Sequence, residues 1–173
     1  MTKGGGRSRI CCFECNTAIW LDHRASNRQK KHIGFAFVGQ KRLRLGGRWH
    51  RKGVLVAYCA QSLSLAALEF FVHFGRHERH IALVALQIAI PESLLEEMNP
   101  AQLPVDWRAE PPSASTADLG MKWLTSARSA VLRVPSAISP GEYNFVINAS
   151  HPRVARVKIE ESQAYTFDPR MWR

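Results

Sequence analysis

The stretch GVLVAYCAQSLSLAALEFFVH, residues 53–73, decides the fold class because it joins a strand to a helix. Residues 53–58 are apolar and rich in valine, which is typical of a buried strand. Ser62 then stands in front of a long apolar run, and this order predicts a helix over residues 63–74 with Ser62 as its N-cap. Gly75 supplies the expected helix end.

Strands outnumber helices on either side of this stretch, and they do not alternate regularly with helices. One further helix is predicted over residues 116–126 and a helical turn over 92–98, while the proline-rich segment 99–115 is irregular. Further strands are predicted at residues 34–39, 80–91, 129–137, 142–148 and 154–160. The pattern predicts an α+β fold, a compact single domain with mixed or antiparallel sheets and a few helices.

Residues 1–17 are glycine-rich, basic and cysteine-containing, and they show no periodicity. We interpret them as a poorly ordered leader in front of a single domain at residues 18–173. Cys12 and Cys15 have the spacing of a zinc or redox pair, but no second pair follows and no βαβ pattern surrounds them. We therefore expect reduced thiols and no metal.

Length and hydropathy indicate a soluble protein of one domain. The chain has 173 residues, of which 46% are hydrophobic and 22% charged. No run of about 18 apolar residues is present, so no membrane span is predicted. The apolar part of the N-terminus is interrupted by Glu14 and Asn16 and makes a poor signal peptide, so the expected location is the cytoplasm.

The net charge of +10 comes from the first 68 residues. Residues 23–68 hold ten Lys and Arg and no acid, whereas residues 69–173 hold eleven Lys and Arg and twelve acids. Three interpretations stay open: a solvated basic face, a nucleic-acid surface, or a site for a small anionic ligand or an acidic protein. No helix-turn-helix, zinc-finger or RNP pattern is present to favour nucleic acid.

Glu69 is a carboxylate in the most apolar part of its predicted helix. Its neighbours three and four residues away are Leu65, Ala66, Val72 and His73, and three of these are apolar. An ionised carboxylate in such a place costs several kcal/mol unless a cation or several donors meet it. Glu69 is therefore either a structural ion or a helix-end residue that reaches solvent, or a catalytic or substrate-orienting acid in a cleft.

Three other residues are candidates for a site with Glu69. Arg48 follows two glycines and is the expected ion partner of Glu69, and its planar guanidinium suits a pyrophosphate; the alternative is a surface arginine in a tight hairpin. Tyr58 is expected to close its strand, where its ring can stack on a flat heterocycle, or else to be a core residue. Ser136 follows a proline at a strand break, where it donates to a ligand or satisfies local backbone.

The chain resembles the RES-domain family, which is named for an arginine, a glutamate and a serine. The matching motifs occur in the family's order and are specific together, although each alone is weak. They are GGRWHRKG (46–53), VAYCAQSLSLAALEFFVH (56–73), LPVDWR (103–108), WLTSARSAVLRVPSA (123–137), GEYNFVINASHP (141–152) and FDPR (167–170). By motif, the family's arginine falls on Arg48, its tyrosine on Tyr58, its glutamate on Glu69 and its serine on Ser136.

The resemblance implies a fold related to ADP-ribosyltransferase toxins and NAD+ as the substrate. It implies a toxin of a bacterial type II toxin–antitoxin pair that depletes NAD+ by cleaving the nicotinamide–ribose bond, with water or phosphate as acceptor. An ADP-ribosyltransferase with a protein target is the alternative, and a non-catalytic basic binding module is a further one. The implied partner is an Xre-like antitoxin in an oligomeric complex, with DNA contacted only through the antitoxin and no membrane or metal involved.

By the same resemblance, Glu69, Arg48 and Tyr58 are the expected catalytic residues, and Arg48, Tyr58, Ser136 and Arg24 the expected substrate-binding residues. Two positions depart from the family's pattern. Family members usually carry an arginine after an aromatic residue near the start, and here Leu21 follows the aromatic, so this role passes to Arg24 or one ligand contact is missing. The usual GGRWN motif also reads GGRWH, with His50 in the last position.

Overall fold

The computed structural model describes residues 7–15, 46–74 and 83–172. Within these residues the chain forms seven β-strands and two α-helices. In chain order they are β1 (Arg7–Cys15), β2 (Val56–Ala60), α1 (Leu63–Phe74), β3 (Leu83–Pro91), β4 (Leu95–Glu97), α2 (Ala114–Ser126), β5 (Val131–Pro135), β6 (Tyr143–Asn148) and β7 (Lys158–Tyr165). Short 3-10 helices lie at Glu92–Leu94, Pro100–Gln102, Val154–Arg156 and Pro169–Trp172.

The described strands form one sheet in the order β4-β5-β6-β2-β1-β3-β7. The β4–β5 pair is parallel, and the remaining pairs among the described strands are antiparallel. Helices and strands do not alternate regularly along the chain, so the sheet is not doubly wound. The prediction of a compact α+β domain with a mixed sheet and a few helices is therefore confirmed.

The strand β1 corrects the interpretation of residues 1–17 as a poorly ordered leader. It lies inside the sheet between β2 and β3, and it pairs with β3 from Arg7↔Pro91 to Cys15↔Leu83. Ile10 is fully buried. The local sequence hides this strand because its pairing partners lie 49 to 84 residues away, and pairing at that distance leaves no periodic signal within the segment itself. The domain boundary at residue 17 stays a prediction.

Both helices lie over the same face of the sheet. This face, called the site face below, carries Val56, Tyr58, Leu132, Val134 and Val146. Trp123 of α2 packs on these residues, and Leu65 of α1 packs on Ala60, which is two residues beyond Tyr58 and so points the same way. The intervening residues, among them Ala57, Cys59, Phe145 and Ile147, point to the opposite face and form a separate apolar cluster.

The helix α1 has the bounds that the sequence predicts. The Ser62 hydroxyl accepts a hydrogen bond from the backbone N–H of Leu65 at 3.2 Å, which is the expected N-cap contact. Gly75 and the strand predicted at residues 34–39 lie outside the described residues. In the part of the chain that the structure describes, no helix is long and apolar enough to cross a membrane.

Two predicted elements differ in the structure because sheet pairing overrides local propensity. The helical turn predicted over residues 92–98 divides into the 3-10 helix Glu92–Leu94 and the strand β4, whose backbone pairs with β5. The strand predicted over residues 154–160 begins only at Lys158, after the 3-10 helix Val154–Arg156. From Lys158 onwards β7 pairs with β3.

Candidate active site

The Glu69 carboxylate lies above the site face and is held by two neutral donors. Its side chain is 21% exposed. Oε1 accepts hydrogen bonds from the Ser136 hydroxyl at 3.1 Å and from the Asn144 side-chain amide at 2.5 Å. Oε2 lies 3.9 Å from Nε2 of His73, one helical turn further along α1. The carboxylate is thus fixed in one orientation by contacts from β6 and from the residue after β5.

Arg48 is not the ion partner of Glu69, so that prediction was wrong. Among the described residues, the basic side chain within ion-pair distance of Glu69 is His73, which is charged only when protonated, and Arg48 pairs with Glu110 instead. The two residues lie on different secondary-structure elements, since Arg48 is in a hairpin before β2 and Glu69 is on α1. Because Ser136 and Asn144 are uncharged, they orient the carboxylate without cancelling its negative charge.

Ser136 is buried, with 1% of its surface exposed, and its hydroxyl makes three hydrogen bonds. It donates to Glu69 and accepts from the backbone N–H groups of Ile138 at 3.2 Å and Ser139 at 3.1 Å. A serine hydroxyl has one proton, and here that proton goes to Glu69. This arrangement favours a role in positioning Glu69 over a direct contact with a substrate.

Asn144 is a site residue that the sequence analysis missed. It pairs with Ala60 of β2 and Val134 of β5, so it points to the site face between two central strands. A signal was available in the strand EYNFVIN, where Asn144 alternates with Phe145 and shares a face with Val146. An asparagine on the inward face of a central strand needs a hydrogen-bond partner, and Glu69 supplies one.

Arg48 stands in the turn of a tight hairpin. Gly47 and His50 exchange two backbone hydrogen bonds, at 3.0 and 3.3 Å, across the turn. Gly46 in front of it has φ of 78°, a left-handed conformation that favours glycine. The tight hairpin of the alternative interpretation is present, but its arginine side chain is largely buried and is not a surface residue.

The Arg48 guanidinium points toward the segment of residues 107–110. Nη1 donates to the carbonyl oxygens of Trp107 at 2.6 Å and Ala109 at 2.9 Å, and Nη2 lies 3.4 Å from a carboxylate oxygen of Glu110. The Arg48 side chain is 15% exposed, whereas that of Glu110 is 74% exposed. One end of the guanidinium is thus held by backbone carbonyls, and the other faces the exposed carboxylate of Glu110.

Tyr58 lies within β2, an inner strand of the sheet, and does not close the strand as expected. Its hydroxyl oxygen accepts a hydrogen bond from the backbone N–H of Trp49 at 3.2 Å and lies 2.9 Å from Nδ1 of His50. His50 is 1% exposed. A side chain at Gly47 would place its Cβ 3.0 Å from the Tyr58 oxygen and 2.8 Å from the His50 ring, so the hairpin packs closely on this pair.

The strand register brings the hairpin group (Arg48, His50, Tyr58) and the carboxylate group (Glu69, Ser136, Asn144) onto one face. Tyr58 is paired with Val146, and Asn144 is two residues away on the same strand and the same face. Such diagonal neighbours have Cα atoms about 7–8 Å apart. The structure therefore places Tyr58 beside Asn144, one of the two residues that hold the Glu69 carboxylate. Arg24 and Leu21 lie outside the described residues.

The FDPR motif follows the edge strand β7 and packs against α1. The Phe167 ring lies 5.6 Å from that of Phe70, the residue after Glu69. Within the same motif, the Arg170 guanidinium holds the pKa of the exposed Asp168 carboxyl below its ordinary value, mainly through side-chain hydrogen bonds.

Among the described residues, no group of three or more His, Cys, Asp and Glu side chains is arranged to hold a metal ion, and the expectation that no metal is needed stays a prediction.

A family model described as the RES domain matches residues 21–168. The chain belongs to the RES-domain family. The resemblance drawn from the GGRWH, α1 and β6 motifs is thereby confirmed. The RES-domain match includes both the hairpin group and the carboxylate group.

Several curated relatives of this RES-domain protein are toxins by name. It is 38% identical over 131 residues to the "Prs ADP-ribosylating toxin" of Sphingobium sp. (strain YBL2), covering 74% of this chain and 81% of the relative. It is 33% identical over 143 residues to "Toxin Res" of Yersinia enterocolitica, covering 82% and 94%. "Toxin Res" of Photorhabdus laumondii is 39% identical over 120 residues, covering 69% and 77%.

The fold of this RES-domain protein also occurs in a solved structure, that of the M. tuberculosis MbcT–MbcA toxin–antitoxin complex. A chain of that complex aligns with a TM-score of 0.70 over 97% of this chain and 88% of its own length. The sequence identity is 15%, so this comparison concerns the fold alone.

Proposed function

We propose that this RES-domain protein is the toxin of a bacterial type II toxin–antitoxin pair and that it depletes NAD+ by cleaving the nicotinamide–ribose bond. The toxin names of its relatives support the first part of the proposal. The observation that carries the second part is the Glu69 carboxylate, which neutral donors hold in place beside Tyr58.

The Glu69 charge acts on the ribose as the bond to nicotinamide breaks. Cleavage passes through an oxocarbenium-like ribosyl cation, and neutral nicotinamide leaves. A fixed carboxylate stabilises this developing positive charge, and it also hydrogen-bonds the ribose hydroxyls to orient the ring. Partial burial strengthens the interaction, because the local dielectric constant is lower than that of water.

Arg48 is assigned the pyrophosphate of NAD+. Its Nη1 group is committed to two backbone carbonyls, which fixes the plane of the guanidinium. The remaining edge, formed by Nη2 and Nε, has the geometry to bind a phosphate through two parallel hydrogen bonds. Glu110, which now contacts Nη2, is an exposed side chain and is displaced at small cost.

Tyr58 is assigned to the nicotinamide end of the substrate. Its hydroxyl contacts Trp49 and His50 of the hairpin, which holds the ring beside Asn144. In this position the ring can pack against the nicotinamide ring. Ser136 acts by positioning Glu69. Arg24 is assigned a second contact to the phosphates, in place of the arginine that the family usually carries at the position of Leu21.

A protein acceptor for ADP-ribose is the second candidate function. It is favoured by one relative, which is named an ADP-ribosylating toxin and is 38% identical to this chain. Hydrolysis, phosphorolysis and transfer share the same bond cleavage and the same Glu69 role, and they differ in the nucleophile that follows. A non-catalytic basic binding module, the further alternative, predicts no NAD+ consumption at all.

The proposed partner is an Xre-like antitoxin that forms an oligomeric complex with the toxin in the cytoplasm and contacts DNA itself. The shared fold with a protein from a toxin–antitoxin complex supports a protein partner of this kind. The net charge of +10 favours an acidic inhibitor, because opposite charges speed association and suppress wrong partners. We expect the antitoxin to cover the Arg48 side of the cleft.

The test compares purified wild type with Glu69→Gln on labelled NAD+. Glutamine keeps the shape and loses the charge, so turnover should fall by about 100-fold or more while the melting temperature changes little. NAD+ binding should survive better than turnover, because the charge matters most in the transition state. Free ADP-ribose indicates hydrolysis, its phosphate ester indicates phosphorolysis, and labelled protein indicates transfer.

Glu161→Gln is the matched control. Glu161 is an exposed carboxylate on the edge strand β7, away from the residues that hold Glu69. It should consume NAD+ at the wild-type rate. A folded wild type that consumes no NAD+ rejects the proposed activity. Unchanged turnover in folded Glu69→Gln rejects the catalytic role of Glu69.

A further inference from the structure

Asn144 is held more firmly than a surface or loop residue could be. Its backbone lies in β6 and pairs with Ala60 of β2 on one side and with Val134 of β5 on the other. Its side chain reaches from the sheet to α1 and donates through Nδ2 to Oε1 of Glu69. A donor on a central strand fixes its acceptor more accurately than a donor on a loop.

The other end of the Asn144 amide is unsatisfied within the part of the chain that the structure describes. Its Oδ1 is buried and has no hydrogen-bond partner there. Reversing the amide would not relieve this, because it would set oxygen against the Glu69 carboxylate and lose the one bond that exists. A buried acceptor without a donor lowers the stability of the folded state, and an apolar side chain of the same shape would avoid that cost. Packing alone therefore does not explain an asparagine here.

The neutrality of the amide explains it. A lysine or arginine at position 144 would also reach for the carboxylate, but it would cancel the charge that the proposed reaction needs. Ser136 and Asn144 instead bind the same oxygen, Oε1, with uncharged donors. Oε2 accepts neither of these two bonds and lies 3.9 Å from Nε2 of His73. We therefore assign Oε2 to the substrate.

We propose that Asn144 is a positioning residue for Glu69, retained for the orientation of the carboxylate and not for folding stability. The inference rests on the proposed function of Glu69, and it makes Asn144 act through Glu69 without touching the substrate. It predicts a large effect on activity together with a small effect on stability, which a purely structural asparagine would not show.

The experiment measures NAD+ turnover and thermal melting for Asn144→Leu and Asn144→Asp. Leucine removes the unpaired acceptor but also one of the two neutral donors to Glu69, and these two effects on stability oppose each other. We therefore expect kcat to fall about 10- to 100-fold while the melting temperature changes by less than about 3 °C. KM for NAD+ should change by less than about threefold, because the substrate contacts remain. Aspartate places a second carboxylate against Glu69, so kcat should fall at least as far and the melting temperature should also fall.

Asn148→Leu is the matched control. Asn148 lies on the same strand and the same face and is 7% exposed, but its Oδ1 accepts a hydrogen bond from the backbone N–H of Ser150 at 3.0 Å. This variant should lose about 3 °C or more in melting temperature and keep the wild-type kcat per folded molecule.

Two results overturn the inference. One is a wild-type kcat in folded Asn144→Leu. The other is a fall in the melting temperature of Asn144→Leu as large as that of Asn148→Leu, which would make Asn144 a residue retained for folding. Failure of the proposed function is separate and visible first, since a folded wild type would then consume no NAD+.

Discussion

The Arg48 guanidinium is held in place at one end and can bind a substrate at the other, because its two ends have different partners. The backbone carbonyls of Trp107 and Ala109 hold one end at 2.6 and 2.9 Å. The exposed Glu110 carboxylate meets the other end at 3.4 Å. If the pyrophosphate binds this second end, Glu110 competes with the substrate for the same N–H groups, and the competition sets part of the NAD+ affinity.

Glu110→Gln should therefore tighten NAD+ binding. Removing the competing carboxylate should lower KM about two- to fivefold at low salt, the range expected for one exposed charge contact, with kcat unchanged. Raising the ionic strength should reduce the difference, because exposed charges are screened. The measurement is KM of both proteins across a salt series.

Asp106→Asn is the control for Glu110→Gln. Asp106 lies in the same segment, but its carboxylate accepts a hydrogen bond from Ser115 at 3.0 Å and does not contact Arg48. Its replacement should leave the low-salt KM within error of the wild-type value. An equal fall in KM for both variants would show a general charge effect and would contradict a specific competition at Arg48.

At the scale of elements, the hairpin of residues 46–50 is held in place by α2. A Cβ at Gly120 of α2 would lie 2.0 Å from the backbone oxygen of Trp49, so helix and hairpin touch backbone to backbone. Since Trp49 follows Arg48 and donates to Tyr58, this contact places both residues of the hairpin group that the proposal uses.

Gly120→Ala should destabilise the protein, although alanine normally favours a helix. The methyl group has no space, and overpacking of this kind costs about 1–3 kcal/mol, or a fall in melting temperature of roughly 2–10 °C. Activity of the folded fraction should fall as well, because the hairpin moves away from α2. Lys122→Ala, an exposed change on the same helix, should alter neither. A Gly120→Ala melting temperature above that of wild type would contradict the close approach.

The local signals were sufficient for elements that are encoded within a short segment. The cap at Ser62 and the apolar run after it gave α1, and the motifs gave Arg48, Tyr58, Glu69 and Ser136 as candidates. What the sequence did not give depends on pairing between distant segments. Pairing sets the place of β1, the position of Tyr58 inside an inner strand, and the Asn144 contact to Glu69. The expected Arg48–Glu69 pair failed for the same reason.

At the scale of the whole molecule, the positive charge is distributed unevenly along the chain. Six of the described Lys and Arg residues are in ion pairs with acids: Arg9, Arg48, Arg51, Arg128, Arg133 and Arg170. The described residues hold 13 Lys and Arg and 12 acids, so almost all of the net charge of +10 belongs to the rest of the sequence. A positive excess of this size favours attraction of an anionic substrate or an acidic partner.

Induced expression in bacteria should stop growth and lower cellular NAD+. The physical reason is that an uninhibited enzyme with the proposed site consumes a coenzyme that the cell needs continuously. Glu69→Gln, expressed to the same level as soluble protein, should allow growth and leave NAD+ unchanged. The measurement is growth together with NAD+ content after induction. Normal growth with unchanged NAD+ from soluble, folded wild type would contradict the toxin proposal.

The place of β1 has a consequence for how the molecule comes together during synthesis. In the sheet order, β4-β5-β6-β2 on one side and β3-β7 on the other meet only through β1 among the described strands. The strand β1 precedes both of its partners in the chain, so during synthesis it must wait for them. A product whose translation started after residue 15 would still contain Arg48, Tyr58, Glu69, Ser136 and Asn144. It would lack the strand that joins β3 and β7 to the other four, whereas these five residues belong to the β4-β5-β6-β2 side or to elements next to it in the chain. Such a product would keep the site residues together on a sheet that has lost its β3-β7 half.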